Sequence, residues 1–297
     1  KDKIANDPYV GEVFNGIISE SDMDLSRDPS LLFGSTFGIH AIDNLAMAYV
    51  FSENPNTELY GDKCKELTLY AANHNHFLDC GGYEDYYNES ELAYTLNMGY
   101  DICYDKFLDI EKQQVLDRLV EIVDVALNGQ PGASDCQFQR DPPAVPNKAA
   151  MTAGMLGLTY LNIYDDELLD QGQRDILDAG RELSDSILEG NILVNAFGED
   201  GSYNEGMLYI MWSYRFLVPY YEARERIEGY SFYDNYPGIR NSIKWITYNF
   251  VPSGNSATND FNNAWMDTGS VSPLRLHNTY HDWLTSKRAG TEESKLA

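Results

Sequence analysis

The sequence has few basic side chains and no apolar run long enough to cross a bilayer. Lysine and arginine together number 21 against 47 aspartates and glutamates, which gives a formal charge of -26. A field of this sign repels nucleic acids and anionic membrane surfaces, so we predict neither as a partner, and it also repels acidic polysaccharides unless their cleft is locally basic. No apolar stretch approaches the roughly 20 residues of a transmembrane helix, and we predict no membrane insertion. The charge is equally compatible with solubility or with a salty environment, where repulsion is screened.

Cysteine is scarce, and the patterns that bind metals are missing. The four cysteines are Cys64, Cys80, Cys103 and Cys136, and none belongs to a CxxC pair. The five histidines form no HExxH or zinc-finger spacing, so we predict neither a metal nor another cofactor. Four cysteines are compatible with buried thiols, or with one or two disulfides in a secreted protein. Nothing in the sequence indicates an oligomeric state.

Apolar side chains recur at helical spacing along most of the chain, which predicts an all-α protein. Residues 1–36 contain turn signals and are predicted to be irregular, as are two polar stretches at 129–146 and 252–270. No convincing strand pattern occurs, and successive antiparallel helices are compatible with two concentric rings or with a plain bundle. Asp109 is the predicted N-cap of its helix. Helices are predicted over residues 37–53, 58–75, 89–107, 109–128, 147–164, 167–190, 203–227, 238–250 and 273–286.

The segment before the predicted helix 147–164 brings an amide and an ammonium group to a helix start. Prolines stiffen residues 142–146, and Asn147 and Lys148 follow directly. Asn147 is compatible with a plain N-cap, a position that asparagine favours. The alternative is an anion site, because the first backbone N–H groups and the helix dipole attract negative charge.

A second segment, residues 199–215, combines a turn with an aromatic helix. Asp200 and Gly201 predict a tight turn before the helix, on which Tyr209 and Trp212 lie three residues apart and share a face. This pattern is compatible with a capped helix that has an aromatic core stripe. It is also compatible with a platform on which a sugar stacks, with a phenol within reach. The charged residues 222–226 that follow are predicted to form a solvated helix face.

Together these segments resemble the heparinase II/III-like polysaccharide lyases. That family has an asparagine at the start of an inner helix rich in small residues, matched here by Asn147 with Ala149, Ala150, Gly154 and Gly157. About 60 residues later it has a stretch that corresponds to Asp200-Gly201-Ser202-Tyr203-Asn204-Glu205-Gly206-Met207-Leu208-Tyr209. Residues 99–105 and 261–269 are similar to two further motifs of the family. The similarity covers roughly residues 38–285.

The resemblance implies an incomplete (α/α) toroid of helical hairpins over residues 37–297. The family's β-sandwich domain, which normally follows the toroid, is absent from this chain, so we expect the chain to be a piece of a longer protein. The implied reaction is β-elimination at a uronic-acid residue, with Asn147 neutralising the carboxylate and Tyr209 acting as base, acid or both. The family has histidine or tryptophan where Lys148 stands, and its further catalytic histidine has no match here. The implied substrate-binding residues are Lys148, Arg140, Tyr203, Glu205, Trp212 and Arg215.

Two other functions are compatible with the sequence. A toroid glycoside hydrolase would need two carboxylates across the scissile bond, for which Asp101, Asp200 and Glu205 are the candidates. A non-catalytic carbohydrate-binding or scaffold toroid would need neither Asn147 nor Tyr209 to act chemically. In each case we expect an acidic polysaccharide or oligosaccharide as partner, and a secreted or cell-envelope location.

Overall fold

A computed structural model describes the protein and is predominantly helical, which confirms the all-α prediction. Two-residue strands at Val251–Pro252 (β1) and Phe261–Asn262 (β2) are the only strands of the described part, and they pair antiparallel. None of the helices in this part is both long and apolar enough to span a membrane. Closure of the helices into a toroid stays a prediction. The described residues are 2–30, 37–73, 85–128, 146–204, 207–249, 251–252, 261–262 and 287.

The chain divides into two compact units. The first comprises Lys1–Cys136 and Asn162–Leu177, and the second comprises Gln137–Leu161 and Asp178–Ala297. Two helices begin in one unit and end in the other, so the chain passes between the units within regular secondary structure.

The first unit is built on helices whose apolar faces meet in one core. In this unit Phe37–Phe51 (α3) contacts both Thr57–Asn73 (α4) and Asp85–Ile102 (α5), and Asp109–Asn128 (α6) contacts the same two helices. Leucines dominate the core, with Leu45, Leu67, Leu92, Leu96 and Leu119 fully buried. The helices are α1 (Asp2–Asn6), α2 (Pro8–Asp24), α3 (Phe37–Phe51), α4 (Thr57–Asn73), α5 (Asp85–Ile102), a 3-10 turn (Tyr104–Lys106) and α6 (Asp109–Asn128).

The second unit contains the helices that carry both candidate motifs. Its core joins the alanines of α7 to aliphatic and aromatic side chains of the later helices. Pro219 lies inside α9, where it removes one backbone hydrogen bond. The helices are α7 (Pro146–Ile163), α8 (Gln171–Ile187), a π-helix (Leu188–Ala196), α9 (Met207–Glu228), α10 (Phe232–Asn235) and α11 (Pro237–Asn249).

The prediction of an irregular N-terminal segment is wrong for residues 2–24, which are helical. Asp7 and Pro8 indicated a turn, but together they start α2. Proline fits the first position of a helix because its missing N–H would have no partner there anyway. The carboxylate of Asp7 accepts a hydrogen bond from the Val10 amide at 3.3 Å, and its carbonyl accepts one from Gly11.

At two helix N-termini the structure differs from the sequence prediction, once in the capping residue and once in the first helical residue. Helix α6 begins at Asp109 itself, so Leu108 is the capping residue, and its N–H donates to Glu111 at 2.8 Å. Helix α8 begins at Gln171 rather than 167, with Asp170 accepting from the Gln173 amide at 2.9 Å. In both cases a side chain three residues into the helix bonds back to the capping N–H, and the bonds between Asp170 and Gln173 run in both directions and form a capping box.

Candidate functional site

Asn147 is a buried residue in the first turn of α7. The helix begins at Pro146, so Asn147 is its second residue and not its N-cap. The side-chain oxygen of Asn147 accepts a hydrogen bond from the Lys148 amide at 2.8 Å, and only 2% of the residue is exposed. Lys148 is half-buried. The amide and the ammonium group thus share the start of this helix, as the sequence predicted.

Helix α7 packs closely against α9 through its glycines. A methyl group on Gly154 would come within 2.9 Å of the main-chain oxygen of Phe216, and one on Gly157 would meet the ring of Tyr220. Glycine permits this approach because it has no Cβ atom. The contacts advance in the same direction along both helices, so α7 and α9 run parallel at this interface. On another side of α7, Ser184 of α8 donates to the Ala153 carbonyl at 2.7 Å.

Asn147 and Tyr209 occupy matching positions on this helix pair. Asn147 precedes Gly154 by seven residues on α7, and Tyr209 precedes Phe216 by seven on α9. Seven residues make almost two full turns and about 10 Å of rise. In parallel helices that touch at Gly154 and Phe216, main-chain positions 147 and 209 therefore fall near one axial level and on similar faces. The side chain of Tyr209 lies outside the described residues.

The turn before α9 confirms the prediction made from Asp200 and Gly201. Gly201 has a φ of +89°, a conformation that glycine adopts without strain. Asp200 accepts hydrogen bonds from the Ser202 hydroxyl at 2.7 Å and from its amide at 3.0 Å. These two bonds lower the pKa of Asp200, so its carboxylate is ionised and holds the turn.

Tyr203 lies at the end of this turn with its ring in the core. It pairs with Phe197 in an isolated antiparallel bridge, and the two ring centroids are 5.1 Å apart. Only 3% of Tyr203 is exposed. The burial of Tyr203 favours a packing role over direct stacking with a sugar, while its proposed contact with substrate stays a prediction.

Several predicted site residues fall outside the described part of the chain. Arg140 and Glu205 are not described at all, and Trp212 and Arg215 are described only as main chain within α9. Of the hydrolase candidates, Asp101 belongs to the first unit and Asp200 to the second. A carboxylate pair suited to hydrolysis is therefore not defined by the described residues.

A network of arginines, carboxylates and phenols lies further along α9. Arg224 is 8% exposed and contacts Glu189 at 2.6 Å, Glu228 at 2.9 Å and Asp185 at 3.1 Å. Arg181 contacts Asp185 at 3.2 Å and Glu228 at 2.8 Å. Two positive charges thus meet three negative ones. Phenols surround them: Tyr220 donates to Asp185 at 3.3 Å, and Tyr230 and Tyr236 donate to Glu189 at 2.9 and 3.1 Å.

The prediction of a solvated face at 222–226 is therefore wrong at Arg224. The guanidinium is buried here because three partly exposed carboxylates compensate its charge. The sequence feature that indicates this network is a four-residue spacing along two segments. The residues are Arg181, Asp185 and Glu189 in one segment, and Tyr220, Arg224 and Glu228 in the other. Burial raises the pKa of Tyr220 above its usual value, so it acts as a neutral hydrogen-bond donor.

No protein family model matches this chain, and no curated protein matches its sequence. The resemblance to the heparinase II/III-like lyases therefore rests on the motifs alone. Within the described residues, no group of three or more histidine, cysteine, aspartate or glutamate side chains is arranged to hold a metal ion.

Proposed function

We propose that this chain is a polysaccharide lyase-like module that cleaves a uronic-acid-containing polysaccharide by β-elimination, and that it is secreted or bound to the cell envelope. The observation that carries the proposal is the parallel packing of α7 on α9 at Gly154 and Gly157. This packing supports main-chain positions 147 and 209 at one level of the helix pair, and the proposal requires that the α7 start opens to admit a sugar ring, because Asn147 is only 2% exposed. The motifs that resemble the lyase family lie on these same two helices.

In the proposed reaction, one side chain transfers a proton and the other stabilises the negative charge that develops in the transition state. The base removes the proton alpha to the uronate carboxylate, the C–H electron pair forms the new double bond, and the glycosidic C–O bond breaks. Negative charge grows on the carboxylate meanwhile, and a hydrogen-bond donor aimed at that charge lowers the barrier. The Asn147 amide is that donor, because its oxygen already accepts from the Lys148 amide and its nitrogen is the donor end. Tyr209 takes the alpha proton and then protonates the leaving oxygen.

A phenol needs a nearby cation to act as a base at neutral pH, because its unperturbed pKa is about 10. Lys148 is the nearest cation along the chain to Asn147, and Arg140 and Arg215 are further candidates. Arg224 is not suited to this role. It lies fifteen residues beyond Tyr209 on α9, about 22 Å along the helix, and three carboxylates already surround it.

The experiment combines a substrate panel with two variants and two controls. Alginate and heparin are incubated with the chain, and the ultraviolet absorbance of an unsaturated uronate product is followed. Tyr209→Phe is expected to lower the rate by about 100-fold or more, because a general acid-base group is lost. Asn147→Ala is expected to lower it by about 100-fold through the lost donor. Asn195→Ala and Tyr233→Phe, in the same unit, should keep the wild-type rate.

Each alternative function has its own result in this assay. New reducing ends without ultraviolet absorbance would identify a hydrolase and reject the lyase. Retardation of the polysaccharide in a gel without any product would identify a binding module and also reject it. Full turnover by Tyr209→Phe would remove Tyr209 from the mechanism, even if a lyase activity is found.

A further inference from the structure

Two of the cysteines face each other in the first unit. Cys64 lies on α4 and Cys103 follows the last residue of α5, and both are free and fully buried. Their positions follow from two close contacts between the helices, one on each side of the pair. The first contact joins Thr68 and Gly99, and the second joins Gly61 and Lys106.

At the first contact, a methyl group on Gly99 would collide with the Thr68 side chain. At the second, a methyl group on Gly61 would lie 2.8 Å from Cε of Lys106. The residue numbers rise along α4 as they fall along the partner segment, so the two segments run antiparallel. Cys64 lies four residues before Thr68, and Cys103 lies four residues after Gly99. The antiparallel contact therefore places the two cysteines opposite each other.

The contact between Gly61 and Lys106 independently places Cys64 opposite Cys103. Three residues on from Gly61 is Cys64, and three back from Lys106 is Cys103. Cys103 is also close enough to Cys64 to contribute to the raised pKa of the Cys64 thiol, after the larger effect of burial. The main chain is ordered on both sides, because Thr68 donates to the Cys64 carbonyl at 2.8 Å and the Cys103 amide donates to Gly99 at 3.1 Å.

We propose that Cys64 and Cys103 are a dithiol that an oxidising compartment converts into a disulfide, which joins α4 to the end of α5. The oxidant is a small disulfide such as oxidised glutathione. One protein thiolate attacks it and releases one glutathione thiolate. The second protein thiolate then attacks the mixed disulfide and releases the other. Both protein thiols are oxidised and lose their protons, and one glutathione disulfide is reduced to two thiols.

Burial makes this a structural cross-link rather than a rapid sensor. Both thiols are inaccessible, and burial also raises the pKa of Cys64, which lowers the fraction of reactive thiolate. Oxidation must therefore wait for local opening, and the finished disulfide is shielded from reductants. The cross-link closes a loop of about 40 residues, which limits the unfolded chain and stabilises the folded one.

The full chain with Cys80→Ser and Cys136→Ser is equilibrated in glutathione buffers of increasing oxidised fraction. Peptide mapping is expected to find Cys64 linked to Cys103, with a loss of two hydrogens from the intact mass. The thermal midpoint of the oxidised protein should exceed that of the reduced protein by roughly 5–10 °C. Cys64→Ala in the same background is the matched control and should show neither change.

The wild-type chain is mapped in parallel, so the result does not depend on the fold of a variant. The proposal is overturned if Cys64 and Cys103 stay reduced at equilibrium with oxidised glutathione. Pairing of either one with Cys80 or Cys136 in the wild-type protein also overturns it. A lower thermal midpoint on forming the 64–103 link would show that the native helices do not accommodate the bond.

Discussion

The two units use their acidic side chains in different ways. In the first unit, carboxylates far apart in sequence are bonded by neutral phenols: Tyr49 to Asp105, Tyr60 to Asp22 and Tyr100 to Asp166, each at 2.7 Å. In the second unit, Arg224 draws three carboxylates together.

Several ion pairs in the first unit have exposed acids, such as Glu58 at 76% and Asp62 at 62% beside Lys106, whereas Asp24 beside Arg27 is only 4% exposed. The carboxylates around Arg224 are only 28–36% exposed. Acids outnumber bases by more than two to one in this chain, so many carboxylates have no cation available. The 22 tyrosines supply hydrogen-bond donors that carry no charge. The contrast teaches that a base-poor protein can satisfy single carboxylates with phenols and place arginines where several partly buried carboxylates meet.

Among the substitutions that test this contrast, removal of the Arg224 guanidinium is expected to have the largest effect on stability. Arg224→Met keeps the apolar stem but removes the cation bound to Glu189 and leaves Asp185 and Glu228 to Arg181 alone, so three partly buried carboxylates share one positive charge. We expect the free energy of unfolding to fall by about 3 kcal/mol, because removing one partner of a buried ion pair strands the other. Denaturant unfolding followed by circular dichroism measures the change.

Arg226→Met is the matched control, since Arg226 lies two residues away on the same helix and is exposed. This control should change the free energy of unfolding by less than about 0.5 kcal/mol. Equal losses from both variants would mean that the network contributes no more than a surface charge, and the contrast between the units would disappear.

The glycine contact of α7 with α9 tests whether the second unit also depends on close helix packing. Gly157→Ala places a methyl group against the ring of Tyr220, so we expect a loss of about 2 kcal/mol in the free energy of unfolding. Gly190→Ala is the control, because a methyl group there meets nothing within 4 Å and the glycine is exposed.

The same Gly157 variant also sharpens the functional proposal. If the α7–α9 spacing sets the distance from Asn147 to Tyr209, the lyase rate of folded Gly157→Ala should fall by more than its stability loss explains. Assays well below the unfolding midpoint separate these two effects. An unchanged rate in a destabilised variant would show that this spacing does not control the site.

Much of the helical architecture could be predicted from the sequence, because helices α3 to α6 follow apolar side chains at regular spacing. The N-terminal helix α2 was missed since Asp7 and Pro8 indicate both a turn and a helix start, and local sequence does not separate them. The burial of Arg224 was missed for a different reason. Its carboxylate partners Asp185 and Glu189 lie 39 and 35 residues away in the chain, so the four-residue spacing within each segment did not show that the two segments pair.

The candidate site, too, could be predicted from the sequence only in part. The sequence could nominate Asn147 and Tyr209, and it could predict the turn at Gly201, because these depend on residue type and short spacing. It could not relate the two helices, since their alignment depends on the contacts of Gly154 and Gly157 with α9. The burial of Tyr203 depends likewise on the ring of Phe197, which a sequence pattern does not show.

The smallest expected effect comes from a single phenol in the first unit. Tyr60→Phe removes the hydrogen bond to Asp22, and we expect the free energy of unfolding at neutral pH to fall by about 1 kcal/mol. Burial, and next the bond to Asp22, raises the pKa of Tyr60 to about 12 from its ordinary 10.0. The neutral phenol is thus favoured by folding, so its stabilisation is complete below pH 10 and is lost as the pH rises through about 12.

Unfolding midpoints measured from neutral pH to pH 12 test both parts of this expectation for Tyr60. The wild-type midpoint should fall more steeply above pH 10 than that of Tyr60→Phe, because the variant has one fewer phenol to ionise. Asp22→Asn keeps an acceptor without its charge, and should lose less stability at neutral pH than Tyr60→Phe. If the alkaline slopes of wild type and Tyr60→Phe coincide and their neutral stabilities agree, the bond from Tyr60 to Asp22 does not stabilise the first unit.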